Sequence, residues 1–145
     1  MKKIIIISIT SDIGLSISNY FLKKKYFIFG SYRNKKLLNN IEKNKKLTCF
    51  KLDLTNNQSI KKFCIKIKKK FNDWDYIIFC NGDLDPIGKF KDINFDKWET
   101  SLNINYLSSL KILNLLLKKN RSNKNRGVLF FAGGGTNNAV SYYSA

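Results

Sequence analysis

Ile4 to Leu22 reads I-I-I-I-S-I-T-S-D-I-G-L-S-I-S-N-Y-F-L, an unbroken apolar run, a short polar turn, then apolar residues at helical spacing. Four consecutive β-branched residues without alternation predict a central parallel strand covered on both faces. After the turn, Ile13, Ile17 and Phe21 predict the packed face of a helix. A strand that feeds a helix through a polar turn sets free backbone N–H groups and the positive end of the helix dipole at the strand's carboxyl end, where a phosphate can bind. Dinucleotide-binding folds open in this way. An ordinary strand–helix unit without a ligand has the same pattern, so the stretch alone leaves both readings open.

The rest of the chain repeats the alternation. Tyr26 to Tyr32 is a second strand, Lys35 to Lys46 a weakly amphipathic helix or helical turn, and Leu47 to Leu52 a third strand that ends in Asp53-Leu54-Thr55. From Ser59 to Phe71 the apolar Ile60, Phe63, Cys64, Ile67 and Phe71 recur at three and four, with lysines on the other face. Asp75 to Cys80 is a fourth strand that stops at Asn81-Gly82, and Asp83 to Asn94, with the only proline, is a loop. A long helix from Asp96 to Leu117 carries Trp98, Leu102, Asn105, Ser109, Ile112, Leu113 and Leu116 along one stripe. Gly127 to Phe131 makes a fifth strand. This pattern predicts one doubly wound α/β domain over residues 1–145, with a parallel sheet in the order 3-2-1-4-5 and a ligand crevice at the strands' carboxyl ends.

Directly after the second strand comes Arg33, 19 residues beyond Gly14. About 20 residues past the glycine turn, such folds place a carboxylate on a free ribose 2′-hydroxyl or an arginine on a 2′-phosphate. With no acid beside Arg33 in the sequence, NADP is favoured over NAD. The structural alternative is one more surface cation in a basic protein.

Charge and composition narrow the chemistry further. Lys and Arg number 27 against 10 Asp and Glu, a formal net charge of +17. The lysines are spread along the whole length, so a solvated surface accounts for them better than a nucleic-acid patch. Cys49, Cys64 and Cys80 have no paired spacing, which suits the reducing cytoplasm. No apolar segment has the length of a membrane span. Histidine is absent, which excludes Ser-His-Asp and Cys-His catalysis and His-ligated metal within this chain.

Taken in order, these motifs resemble the first part of a short-chain dehydrogenase/reductase, a Rossmann-type family of NAD(P)-dependent oxidoreductases. Ser8-Ile9-Thr10-Ser11-Asp12-Ile13-Gly14 stands where the family has T-G-x-x-x-G-x-G, and Asp53-Leu54 resembles the aspartate–apolar pair that meets the adenine. Cys80-Asn81-Gly82 resembles the family's N-A-G. Trp98-x6-Asn105 resembles the helix with the catalytic asparagine, which in the family holds a water linking the active-site lysine to solvent. The end, F-F-A-G-G-G-T-N-N-A-V-S-Y-Y-S-A, resembles the stretch from the catalytic serine to just before the catalytic tyrosine. The resemblance implies hydride transfer between NADP(H) and a carbonyl or hydroxyl substrate.

The departures carry their own expectations. Ile7 and Ser8 replace the threonine and first glycine, Asp12 replaces the second glycine, and only Gly14 of the three remains. A carboxylate at Asp12 about 5 Å from a phosphate would cost about 3 kcal/mol at an effective dielectric near 20; alternatively, Ser11 or Asp12 caps the helix. Ala132 or Gly133 occupies the serine position, with Ser141 and Ser144 out of register, and neither Tyr142 nor Tyr143 has a lysine four residues on. The missing general acid is worth roughly 10²- to 10⁴-fold in rate. The expectation is a fragment of a longer reductase or a truncated product, incomplete at the C-terminus and inactive alone, with self-association into a homo-oligomer through the exposed fifth strand. The competing reading is a non-catalytic dinucleotide- or partner-binding remnant.

Overall fold

Ile4, Ile5, Ile6 and Ile7 lie within β1 (Lys3–Ile7), and none of the four has any exposed surface. In the computed structural model, which describes residues 1–41, 44–118 and 124–131, β1 is the centre of a five-stranded parallel sheet. Its partners are β2 (Phe27–Tyr32), β3 (Leu47–Lys51), β4 (Tyr76–Phe79) and β5 (Gly127–Phe130), in the order β3-β2-β1-β4-β5. The expected topology is the observed one. Ile5 and Ile7 enter one core with Phe29, Phe63 and Trp74, whereas Ile4 and Ile6 enter the opposite core with Leu22, Ile28 and Ile78. Each fully buried isoleucine contributes about 1.5–3 kcal/mol, which explains why this run commands the centre of the sheet.

Helix α1 (Asp12–Lys23) covers the second core with Ile17 and Phe21 packed against it as expected, but Ile13 departs from the face its apolar spacing suggests. Gly14, Ser18 and Leu22 are buried, and Ile13 is 48% exposed. The cause is a close approach at the helix start. A Cβ on Gly14 would stand 2.5 Å from the Ser8 carbonyl oxygen and 2.9 Å from the Ile9 backbone, so small residues face the strand and Ile13 turns outward.

On the first core lie α2 (Asn57–Phe71), buried through Ile60, Phe63, Cys64 and Ile67, and a helix of three parts. That helix comprises α3 (Phe95–Leu102), a π turn over Asn103–Leu107, and α4 (Ser108–Leu117). The single extra residue of a π turn rotates the helix beyond it by roughly 100°. The predicted stripe is therefore broken. Leu102 is exposed, while Ser101, Ser108, Ser109, Ile112 and Leu116 are buried. The Lys35 to Lys46 region holds a 3₁₀ helix over Lys35–Asn40 rather than an α-helix. No helix among the described residues is long and apolar enough to cross a membrane.

The sheet's two rims differ. On β3, Phe50 stacks on Phe29 with ring centroids 5.0 Å apart and lies under the ammonium groups of Lys66 and Lys70, at 4.4 and 5.7 Å. On β5, Phe130 stacks on Phe79 at 4.6 Å, yet Val128, Leu129 and Phe130 are each more than 40% exposed. At the amino ends of the strands, Asp75 accepts from the Lys3 backbone N–H at 2.7 Å and pairs with Lys124 at 2.8 Å, while Lys3 pairs with Asp73 at 2.6 Å. The opposite ends, where β1 to β4 run out, converge on one cavity.

Candidate functional site

The turn after β1 is held closed by its own serines. Ser8 has φ 59°, in the left-handed region where a non-glycine residue costs about 1–2 kcal/mol. Its carbonyl accepts from the Ser11 N–H at 3.0 Å and the Ser11 hydroxyl at 2.9 Å. Ser11 is also the N-cap of α1, its Oγ accepting from the Gly14 N–H at 3.1 Å. The capping alternative is therefore the observed one, and Ser11 is the cap. The backbone keeps the conformation a glycine would favour although the glycine is gone. Position 14 needs glycine because a side chain there would strike backbone.

Ser8, Thr10, Ser11, Arg33, Asp53, Leu54, Asn81 and Gly82 line a single cavity of about 340 Å³. Eight candidates from four separate loops thus meet. Asp12 and Ile13 do not line it: both are exposed on the first turn of α1, and Gly14 is buried beneath the turn. Among the described residues, a Cβ on Gly82 meets no atom within 4 Å, so the loop leaves open space there. Arg33 is exposed, and its positive charge reaches Asp53 across the cavity. The sequence has no acid beside Arg33, whereas the fold brings one near. Asp53 is already engaged, because its Oδ1 accepts from the Thr55 hydroxyl at 2.7 Å and the Thr55 N–H at 2.9 Å. Those bonds, with Arg33 and Lys51 adding smaller contributions, hold its carboxyl below the usual carboxylate range. Asp53 is an anion that organises its own loop.

The wall opposite the serine turn is tied to the π-turn helix. The Asn81 Nδ2 donates to the Ile104 carbonyl at 2.6 Å and to the Ser109 hydroxyl at 3.1 Å. Asn105 does not line the cavity. Its Nδ2 donates to the Asp83 carbonyl at 2.9 Å, and its Oδ1 accepts from the Asp83 N–H at 2.7 Å. The Ser108 hydroxyl donates to the Leu54 carbonyl at 2.6 Å, so one helix fixes the loops after both β3 and β4.

Sequence reasoning misses several lining residues, chiefly Ser31, Tyr32, Asn34, Cys80 and Ile104. In the sequence Cys80 stands out only as the first member of its Cys-Asn-Gly motif. Burial pushes its thiol up to about 11, which makes it a neutral wall group. Ser31 has a signal, since it stands two residues before Arg33 and so shares its side of the strand. Ala132, Gly133, Ser141, Tyr142, Tyr143 and Ser144 lie outside the described residues. Among the described residues no cluster of His, Cys, Asp or Glu is arranged to hold a metal.

Known proteins resemble this chain in sequence pattern and in fold. The sequence pattern of the short chain dehydrogenase family matches residues 2–145. Among solved structures, a short-chain dehydrogenase/reductase from Saccharomyces cerevisiae superposes with a TM-score of 0.83 at 21% identity, covering 99% of this chain and 58% of its own. One from Burkholderia vietnamiensis gives 0.80 at 19% identity, with 98% of this chain and 70% of its own covered. ElxO, in a tyrosine-to-phenylalanine variant with NADPH bound, gives 0.71 at 20% identity over 81% of this chain and 49% of its own. At such identities the likeness is one of fold. The chain spans about three fifths of the length of the yeast protein. A search among curated proteins found no match.

Proposed function

The chain belongs to the short-chain dehydrogenase/reductase family, and on that premise we propose that its cavity binds NADP(H), in preference to NAD(H), for hydride transfer to or from a carbonyl or hydroxyl substrate. The observation that carries this reading is the arrangement of Arg33 and the Ser8-Thr10-Ser11 turn on one cavity, with the nearby carboxylate, Asp53, already bonded to Thr55. A planar guanidinium at the end of β2 suits a ribose 2′-phosphate through paired N–H donors. In this assignment the serine turn takes the pyrophosphate, with Asp12, Ile13 and Gly14 behind it as the start of α1 and not in the cavity wall; Leu54 and Asp53 flank the adenine; and Asn81 and Gly82 line the passage towards the nicotinamide. NADPH in the ElxO neighbour is consistent with this choice.

The cofactor, when bound, supplies the hydride. The described residues bind and orient. Asn105, the catalytic asparagine by family resemblance, contributes by position in this reading, since both ends of its amide are engaged with Asp83 and fix the loop beside Gly82. Cys49, Cys64 and Cys80 are free thiols, which favours a cytoplasmic setting as part of the same proposal.

Titration with NADPH and NADH tests this reading. The unmutated chain should bind NADPH roughly ten- to a hundredfold more tightly, the worth of hydrogen bonds to a charged group, and Arg33→Ala should abolish the difference. Equal affinity for both cofactors in the unmutated chain would overturn the assignment of Arg33.

A further inference from the structure

Ser8 occupies a backbone conformation that serine rarely adopts, so something must hold it there. Ser31 does much of that holding. The Ser8 N–H donates to the Ser31 Oγ at 2.8 Å, and the Ile9 N–H donates to the Ser31 carbonyl, also at 2.8 Å. One residue of β2 thus takes two consecutive N–H groups of the turn, one with its side chain and one with its backbone. Ser31 is 2% exposed and sits within a strand paired on both sides, which gives the turn a rigid anchor. Its neighbour Gly30 makes room for the same turn, since a Cβ there would lie 2.7 Å from the Ile9 Cδ1.

We propose that Ser31 is a positioning residue for the turn after β1, its hydroxyl keeping Ser8 in the left-handed conformation and so compensating for the glycine this chain lacks. Glycine takes a positive φ without help, so a chain with glycine at position 8 has little need of the Ser31 hydroxyl for shape. Serine at position 8 needs it. When the acceptor is removed, the Ser8 N–H is left unpaired and the turn relaxes towards an ordinary φ, carrying Thr10 and Ser11 out of place along the cavity wall. The conformational role stands on the geometry alone, and its consequence for cofactor binding rests on the dinucleotide reading of the cavity.

The test is a cycle of four chains: unmutated, Ser8→Gly, Ser31→Ala and the double variant. In the two chains that keep Ser8, the amide-to-α-proton coupling constant of that residue reports φ without any ligand, and all four are titrated with NADPH. Ser31→Ala should shift the coupling constant and weaken NADPH binding roughly tenfold, the worth of one lost hydrogen bond. Adding Ser8→Gly should restore the affinity, which a general packing role for Ser31 would not allow. An unchanged coupling constant in Ser31→Ala, or a double variant as weak as Ser31→Ala, overturns the proposal. A shifted coupling constant in a chain that never binds NADPH sustains the role of Ser31 and rejects the dinucleotide reading instead. Should Ser31→Ala fail to fold, folding of the double variant supports the proposal and its failure to fold overturns it.

Discussion

Asn105 and Asp83 close a ring of two hydrogen bonds, the side-chain amide of one meeting both main-chain groups of the other at 2.7 and 2.9 Å. The contact lies 22 residues apart in sequence and joins the π turn to the loop after β4. Replacing Asn105 by alanine strands a donor and an acceptor in a half-buried position, at a cost of about 1–3 kcal/mol. Asn105→Asp keeps the acceptor but sets a carboxylate against the Asp83 carbonyl, so it should not rescue the loss. Urea denaturation of both variants checks this, and a midpoint unchanged in either would show that the ring adds nothing to stability.

Glycine substitutions at the turn should act in opposite directions at positions six residues apart. Ser8→Gly relieves the left-handed strain and should stabilise the fold by about 1 kcal/mol. Gly14→Ala drives a methyl group to 2.5 Å from the Ser8 carbonyl and should destabilise by about 1–3 kcal/mol. Thermal midpoints of the two variants on either side of the unmutated value are the expected outcome.

Gly82 offers a cleaner separation of binding from folding. A Cβ there meets no atom of the described residues within 4 Å, so Gly82→Ala should change stability by less than about 0.5 kcal/mol. The same side chain would intrude where the cofactor is proposed to pass, and NADPH affinity should fall by about tenfold or more, or 1.4 kcal/mol. A matched pair of denaturation and titration curves measures both.

Acid should unfold the protein through its few carboxylates. Asp53 and Asp73 are held below their ordinary value, chiefly by hydrogen bonds from Thr55 and Lys3 respectively. Burial pushes Asp75 up, but Lys124 and the Lys3 N–H outweigh it and leave its carboxyl low. A carboxyl depressed in the folded state contributes stability that is complete above its unfolded value, about 3.9, and is lost as the pH falls through the folded value. Asp75→Asn should lower the urea midpoint at neutral pH and flatten its decline into acid. A decline as steep as in the unmutated chain would assign the acid sensitivity elsewhere.

The strand order and the central place of Ile4 to Ile7 are legible in the sequence because apolar runs between helical periods have few arrangements in a parallel sheet. The meeting of Arg33, Asp53 and Gly82 comes from the same logic, since each closes a strand. Other features leave no mark in a periodicity. The π turn adds one residue without altering composition, so helical spacing puts Leu102 on the wrong face. It also puts Ile13 in the core, because spacing is blind to how closely Gly14 approaches Ser8. The Ser8 N–H finds its acceptor 23 residues further on, and a side-chain bond between adjacent strands cannot be seen in either strand alone.

The unequal rims give the sheet a sense of direction. Alongside β3, two lysine ammonium groups over Phe50 surround that margin with charge that any incoming strand would have to desolvate. Alongside β5, exposed Val128, Leu129 and Phe130 offer apolar surface, and among the described residues no such pair of ammonium groups covers it. Among the described residues, the β5 margin therefore sets the smaller desolvation cost against an added strand, like the crystal face that is left unpoisoned. A further strand, from a longer polypeptide or from a neighbouring molecule, would join at β5.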